Sequence, residues 1–127
     1  MYINVCHRTA GVRVVAVICA DDAYLKCAKK IYERFLNFSG LQLTNDTQKA
    51  AVEAAIFRTF TLIQGPPGTG KTVTTVRLAA LFVHLNEELD SKYGRNNSVK
   101  RQVMICGPSN KSVDVVAGSK LIIQFTI

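Results

Sequence analysis

No stretch of this chain is apolar for long enough to cross a membrane. A span needs roughly 18 to 20 such residues, and the longest run, Val14 to Ala20, is the size of a strand. That run follows Arg13, meets Asp21 and Asp22, and has no small-x-small cleavage site, so it is also a poor signal peptide. Cysteine is scarce, and none of Cys6, Cys19, Cys27 and Cys106 belongs to a C-x-x-C pair. That spacing argues against a zinc site, and His7 beside Cys6 finds no further ligands. The four thiols read as buried or incidental reduced cysteines of an intracellular protein. Acidic residues are few, nine against sixteen Lys and Arg, for a net charge of +7. The imbalance favours an anionic partner, but nucleotide and nucleic acid satisfy it equally, and many basic residues serve only as a solvated face. There is no internal repeat and no low-complexity segment. With 48% hydrophobic residues over 127 positions, the chain is not disordered and can bury one core.

What is present begins with Thr61 to Thr72, TLIQGPPGTGKT, which fits G-x-x-x-x-G-K-[ST] from Gly65 through Pro66, Pro67, Gly68, Thr69 and Gly70 to Lys71 and Thr72. A triphosphate needs many converging donors, and backbone N–H groups are the densest supply. Glycine lets the backbone approach closely, proline limits the entropy lost on ordering the turn, and a helix starting near Gly70 offers free N–H groups and its positive dipole end. Lys71 is expected to reach the β/γ-phosphates as a point charge, and the Thr72 hydroxyl to ligate Mg²⁺. The motif requires a strand before it and a helix after it. Phe60 to Gln64 reads as that strand. Thr72 to Leu89 reads as the helix, with Val73, Val76, Ala80 and Val83 at helical spacing and Leu81 and Leu85 widening the apolar face. The competing reading is a Gly/Pro-rich surface turn.

Elsewhere, residues 1 to about 11 carry no clear pattern, and Val12 to Ala20 reads as a buried strand. Asp21 to Phe38 reads as an amphipathic helix capped by Asp21 or Asp22, with Tyr24, Ala28, Ile31, Phe35 and Phe38 as its core stripe, ended by Ser39-Gly40. Leu43 to Arg58 reads as a helix with Asn45 at the N-cap and Gln48 at the capping-box position. Asp90 to Gln102 reads as an exposed basic loop, Val103 to Gly107 as a strand, and Pro108 to Gly118 as a turn and short helix. The order is that of an α/β domain with a parallel sheet.

Gln48 in the first turn of a helix, then GPPGTGKT, then a strand running into CGPSNKSVD (Cys106 to Asp114) together resemble the amino-terminal part of the first RecA-like domain of superfamily 1 helicases. The wording is similar to the upframeshift-like group, and within it to the helicases with zinc-finger domains. The resemblance covers Leu43 to Gly118. It implies a P-loop ATPase domain over residues 41–118. Residues 1–40, an unassigned strand and helix, would be the tail of an accessory domain, and residues 119–127 an atypical apolar tail. It implies that Gln48 reads adenine, with a plain capping role as the alternative. It also implies that Pro108, Ser109, Asn110 and Lys111, the family's motif Ia, touch the backbone of a single strand of RNA or DNA, with an ordinary N-cap as the alternative. ATP and Mg²⁺ are the implied cofactors. In a full-length relative, ATP closes a cleft between two domains and hydrolysis reopens it, stepping along one strand. His84 and Asp114 read as structural.

The family's hydrolysis elements do not appear. After Lys71 the acidic residues are Glu87, Glu88, Asp90 and Asp114, and none follows an apolar strand to hold Mg²⁺ or activate water. In this fold the strand before the phosphate loop lies between strands that come later in the sequence. Phe60 to Gln64 is therefore expected to show bare edges, and the chain to be a truncated product, a partial gene model or an alternative splice end. The apolar window Leu121 to Ile127, free of charge, Pro and Gly, is expected to promote aggregation, against the rival expectation that it adds a strand beside Phe60 to Gln64. Three functions remain in play. They are the ATP-binding portion of a helicase, inactive alone, a short non-catalytic nucleotide-binding or regulatory product, and another P-loop kinase or ATPase.

Overall fold

The computed structural model describes residues 2–8, 11–17, 22–36, 45–93, 102–106 and 109–118. They form strands β1 (Tyr2–Arg8) and β2 (Gly11–Val17), helices α1 (Asp22–Leu36) and α2 (Asp46–Phe57), strand β3 (Phe60–Gln64), helix α3 (Lys71–Tyr93), strand β4 (Met104–Cys106) and helix α4 (Asn110–Ala117). The expectations for Asp21, Ser39-Gly40, Pro108 and Leu121 to Ile127 lie outside the described residues. None of the described helices is long and apolar enough to cross a membrane.

The strands form one sheet in the order β3-β2-β1-β4. Two residues join β1 to β2, too few for a crossover, so the pair is an antiparallel hairpin in which Tyr2 faces Val17 and Arg8 faces Gly11. β2 pairs antiparallel with β3, and β1 pairs parallel with β4. The sheet is therefore mixed rather than wholly parallel. β3 and β4 still point the same way, and the hairpin stands between them. This corrects two expectations. The first eleven residues, patternless in sequence, supply a full strand, because pairing on both sides rewards extension where local alternation does not. β3 is also not bare on both edges, since β2 pairs with it from Phe60 to Gln64.

The helices gather on one face, with α1, α2 and α4 all packing on α3. Thr61 and Ile63 of β3 turn toward them, and the Thr61 hydroxyl donates to the Ala54 carbonyl at 3.0 Å. Phe60 and Leu62 alternate to the opposite face and stay 62% and 48% exposed. One core unites Tyr24, Ala28 and Ile31 of α1, Val52, Ala55 and Ile56 of α2, and Leu78, Leu81, Phe82 and Leu85 of α3, with Val116 of α4 at its margin. The buried side of α3 differs from the expected one. Val76, Ala80, Leu81 and Leu85 are buried, but Val73 is exposed and Val83 half-buried. Thr74, Thr75, Leu78, Ala79, Phe82, Asn86 and Leu89 are buried too, with Lys71 at the helix start, because α3 has neighbours around most of its circumference.

α3 also continues past Leu89 to Tyr93, through the start of the expected loop. Lys92 bonds Glu88 one turn back at 3.1 Å, and Arg34 of α1 reaches the same carboxylate at 3.3 Å. The hydrogen bond from Lys92 holds the Glu88 carboxyl below the usual carboxylate range, with Lys92, Arg34 and His84 adding charge attraction. His84 lies 3.8 Å from Glu87 on the same helix.

Candidate functional site

The loop between β3 and α3 is shaped by two left-handed residues, Gly68 at φ 80° and Gly70 at φ 76°. Both are glycine, the residue for which that conformation is free of steric cost. At Gly70 a side chain would also push the Gln48 amide aside, because an added Cβ would stand 2.7 Å from Gln48 Nε2. The turn is closed from within, where the Thr69 hydroxyl donates to the Pro66 carbonyl at 2.8 Å. α3 then starts at Lys71, and Gly70 O accepts from Thr74 N at 2.9 Å. Its first-turn N–H groups have no acceptor within the helix and face the loop's mouth.

Lys71 is only 8% exposed, which a lysine tolerates only when its ammonium is solvated by protein. Its Nζ donates to Gly65 O at 2.7 Å, to Pro66 O, and to Thr69 Oγ1 at 3.3 Å. The loop therefore holds the charge through two carbonyl oxygens and a hydroxyl. Thr72, the expected Mg²⁺ ligand, is exposed in the first turn of α3.

α2 brings the second half of the site. Asn45 caps it, accepting from Gln48 N at 2.8 Å through Oδ1, as the sequence predicts. The Gln48 side chain is nearly buried and its Nε2 donates to Thr69 O at 3.2 Å, across 21 residues of sequence. The arrangement encloses a pocket of about 240 Å³. Of the sequence-predicted residues, Gln48, Gly65, Pro66, Thr69 and Lys71 line it, whereas Pro67, Gly68, Gly70 and Thr72 do not. Sequence reasoning missed Thr47, Ala51, Ile63, Gln64 and Thr74 as lining residues, and it gave Asn45 only a capping role. Helical spacing could have found two of them, since Ala51 follows Gln48 by three positions and Thr74 follows Lys71 by three.

Ser109, Asn110 and Lys111 stand exposed around the start of α4 and do not line the pocket, and Pro108 lies outside the described residues. Ser109 O accepts from Val113 N at 3.4 Å, a backbone bond of the first turn. Asp114 is exposed on α4, and its backbone carbonyl accepts from Gly118 N at 2.8 Å where the helix ends.

The family model described as an AAA domain matches residues 43–124. The chain is 43% identical over 83 residues to the human protein "3'-5' exoribonuclease HELZ2", an alignment covering 62% of this chain and 3% of that protein. It is 40% identical over 82 residues to "ATP-dependent helicase upf1" of Schizosaccharomyces pombe, covering 65% of this chain and 8% of the relative. It is likewise 40% identical over 101 residues to "Helicase sen1" of the same yeast, covering 76% and 5%. No solved structure matches. The chain thus spans less than a tenth of the length of each of these curated relatives. The matched stretch runs from just before the α2 cap through the phosphate loop and past α4, which are the parts that assemble the pocket and the exposed helix start, and on this match the chain belongs to the AAA domain family, among the superfamily 1 helicases of the upframeshift-like group.

Proposed function

We propose that this chain is the ATP-binding portion of an ATP-dependent RNA or DNA helicase, in which Gln48 reads the adenine edge and the phosphate loop holds the triphosphate. The observation that carries the reading is the meeting of Gln48 with the loop. An amide that pairs with both a donor and an acceptor is the group adenine calls for. It sits against the carbonyl of Thr69, beside a buried lysine and a free helix start. The residues fit the group. The glycine at Gly70 leaves room for the Gln48 amide against the loop, and Lys71 offers one ammonium to the β/γ-phosphates. Bound ATP would supply the phosphoanhydride whose hydrolysis drives movement. Thr72 is the residue here that would take Mg²⁺, with the phosphate oxygens as co-ligands.

Ser109, Asn110 and Lys111, with Pro108, are the proposed contacts to a nucleic-acid backbone. They offer a hydroxyl, an amide, a charge and first-turn N–H groups, and no aromatic for base stacking. We read β3 and β4 as two same-direction strands of a RecA-like sheet. This reading places the protein in the cytoplasm or nucleus. It assigns no residue of the chain to water activation, because none of Glu87, Glu88, Asp90 and Asp114 ends a strand. A nucleotide-binding or regulatory role without catalysis is the second reading, favoured by the hairpin that pairs β3.

The test is a titration with labelled Mg-ATP. Wild type binds weakly, Lys71→Ala loses that binding, and neither releases phosphate above background. Equal affinity of the two proteins, or sustained turnover that Lys71→Ala abolishes, contradicts the proposal.

A further inference from the structure

α1 lies outside the stretch matched by the family, yet it is packed against the helix that carries Gln48. Its contact stripe is Tyr24, Ala28, Ile31 and Tyr32, all buried, at the three- and four-residue spacing of one helix face. Ala28 is fully buried between the two tyrosines, and its small side chain lets the helices approach there. The tyrosines extend to either side and meet opposite ends of α2. The Tyr24 hydroxyl donates to Ile56 O at 3.2 Å, near the last turn. The Tyr32 hydroxyl donates to Lys49 O at 3.4 Å, on the residue that follows Gln48. The Tyr32 ring also meets Phe57 edge-on, with centroids 6.0 Å apart and planes at 89°. Lys49, Glu53 and Phe57 recur at four-residue steps, so Tyr32 lies along one stripe of α2. Burial, with Glu53 close by, pushes the Tyr32 hydroxyl above its usual range and keeps it a donor.

The first turn of α2 also carries the Asn45 cap and the Lys49–Asp46 pair at 3.5 Å, and from that turn Gln48 spans to the phosphate loop. We infer that α1 sets the position of Gln48, with Tyr32 as the positioning residue that holds the first turn of α2 at the distance where its glutamine meets both the loop and the base. This inference rests on the nucleotide reading proposed above. It assigns base discrimination, and not phosphate binding, to a helix that supplies no group to the pocket. A displaced first turn moves the Gln48 amide, while the contacts of Lys71 lie within the loop and stay in place.

The experiment measures ATP and GTP affinity in the full 127-residue chain, together with thermal stability. Tyr32→Phe removes only the hydroxyl, and Tyr32→Leu removes the hydroxyl and the ring edge on Phe57. Leu89→Ala, at the far end of α3, gives a destabilised control. The ATP-to-GTP affinity ratio is expected to fall about twofold in Tyr32→Phe and about threefold to tenfold in Tyr32→Leu, on the scale of one weak hydrogen bond and one aromatic contact. It stays at the wild-type value in Leu89→Ala despite a larger loss of stability. In a Gln48→Ala background, Tyr32→Leu changes the ratio no further. A ratio unmoved by Tyr32→Leu, or moved equally by Leu89→Ala, overturns the inference while leaving the nucleotide site standing. Unchanged ATP affinity in Lys71→Ala overturns the site itself and the inference with it.

Discussion

Lys71 and Lys111 occupy comparable places, each in the first turn of a helix that follows a strand, and the molecule treats them in opposite ways. Lys71 is buried and its ammonium is held by three oxygens of its own loop, with the Gln48 amide on the neighbouring carbonyl. Lys111 is exposed at the start of an eight-residue helix of which, among the described residues, only Val116 enters the core. The helix after β3 runs 23 residues and is buried around most of its circumference. One strand-loop-helix unit therefore holds its lysine inside the protein, in the site proposed for nucleotide. The other leaves its lysine at the surface proposed for nucleic acid. Arg77, further along α3, shows that burial alone does not make a site. Its Nε and Nη1 are out of water with no hydrogen-bond partner among the described residues, and desolvation pushes its guanidinium below its usual range.

Three substitutions would break or sharpen this contrast. The largest effect is expected at Gly70. Gly70→Ala places a side chain at φ 76° and against Gln48 Nε2, so it both strains the turn and displaces the amide from Thr69. ATP affinity should fall by about tenfold or more and stability by ~1 kcal/mol, the cost of a left-handed alanine, read by titration and by denaturant unfolding. Next comes Lys111→Ala, which should leave ATP affinity unchanged. It should weaken single-stranded RNA or DNA binding uniformly across sequences and reduce the slope against log salt by about one. A loss confined to one sequence would mean base readout, and a loss of ATP binding would merge the two regions into one site. The smallest effect is Arg77→Met, which removes a half-buried cation whose Nε and Nη1 have no hydrogen-bond partner among the described residues. It should raise stability by ~1 kcal/mol at most, given the guanidinium's partial exposure, with ATP affinity unchanged. A destabilised variant would show that the guanidinium has a partner.

Much of this contrast was legible in the sequence, and the reason is local. The phosphate loop depends on the backbone freedom of glycine and on a helix start, and both are written in adjacent residues. Asn45 and Gln48 are likewise a cap signature within one turn. The three- and four-residue stripe of α1 gave its buried face through Tyr24, Ala28 and Ile31. What was not legible depends on pairs distant in the chain. The role of β1 as a strand comes from its two neighbours in the sheet, not from alternation in Tyr2–Arg8. Val73 fits the apolar period of α3 yet lies outside, because the number of elements packed on α3 decides which arc is buried. The length of α3 depends on Glu88 meeting Lys92 and the distant Arg34. The pocket's extension along Thr47 and Ala51 follows from how α2 is set beside the loop, which the tyrosines of α1 help to fix.

The central claim is that Gln48 and the phosphate loop form one nucleotide site, with the base lying on α2. Photolabelling of the full chain with an azido-adenine analogue of ATP, followed by peptide mapping, tests it most directly. The account predicts label on the segment from Asn45 to Ala51, competed by unlabelled ATP and absent in Lys71→Ala. Label placed on α4, or label on α2 that persists in Lys71→Ala, would contradict it.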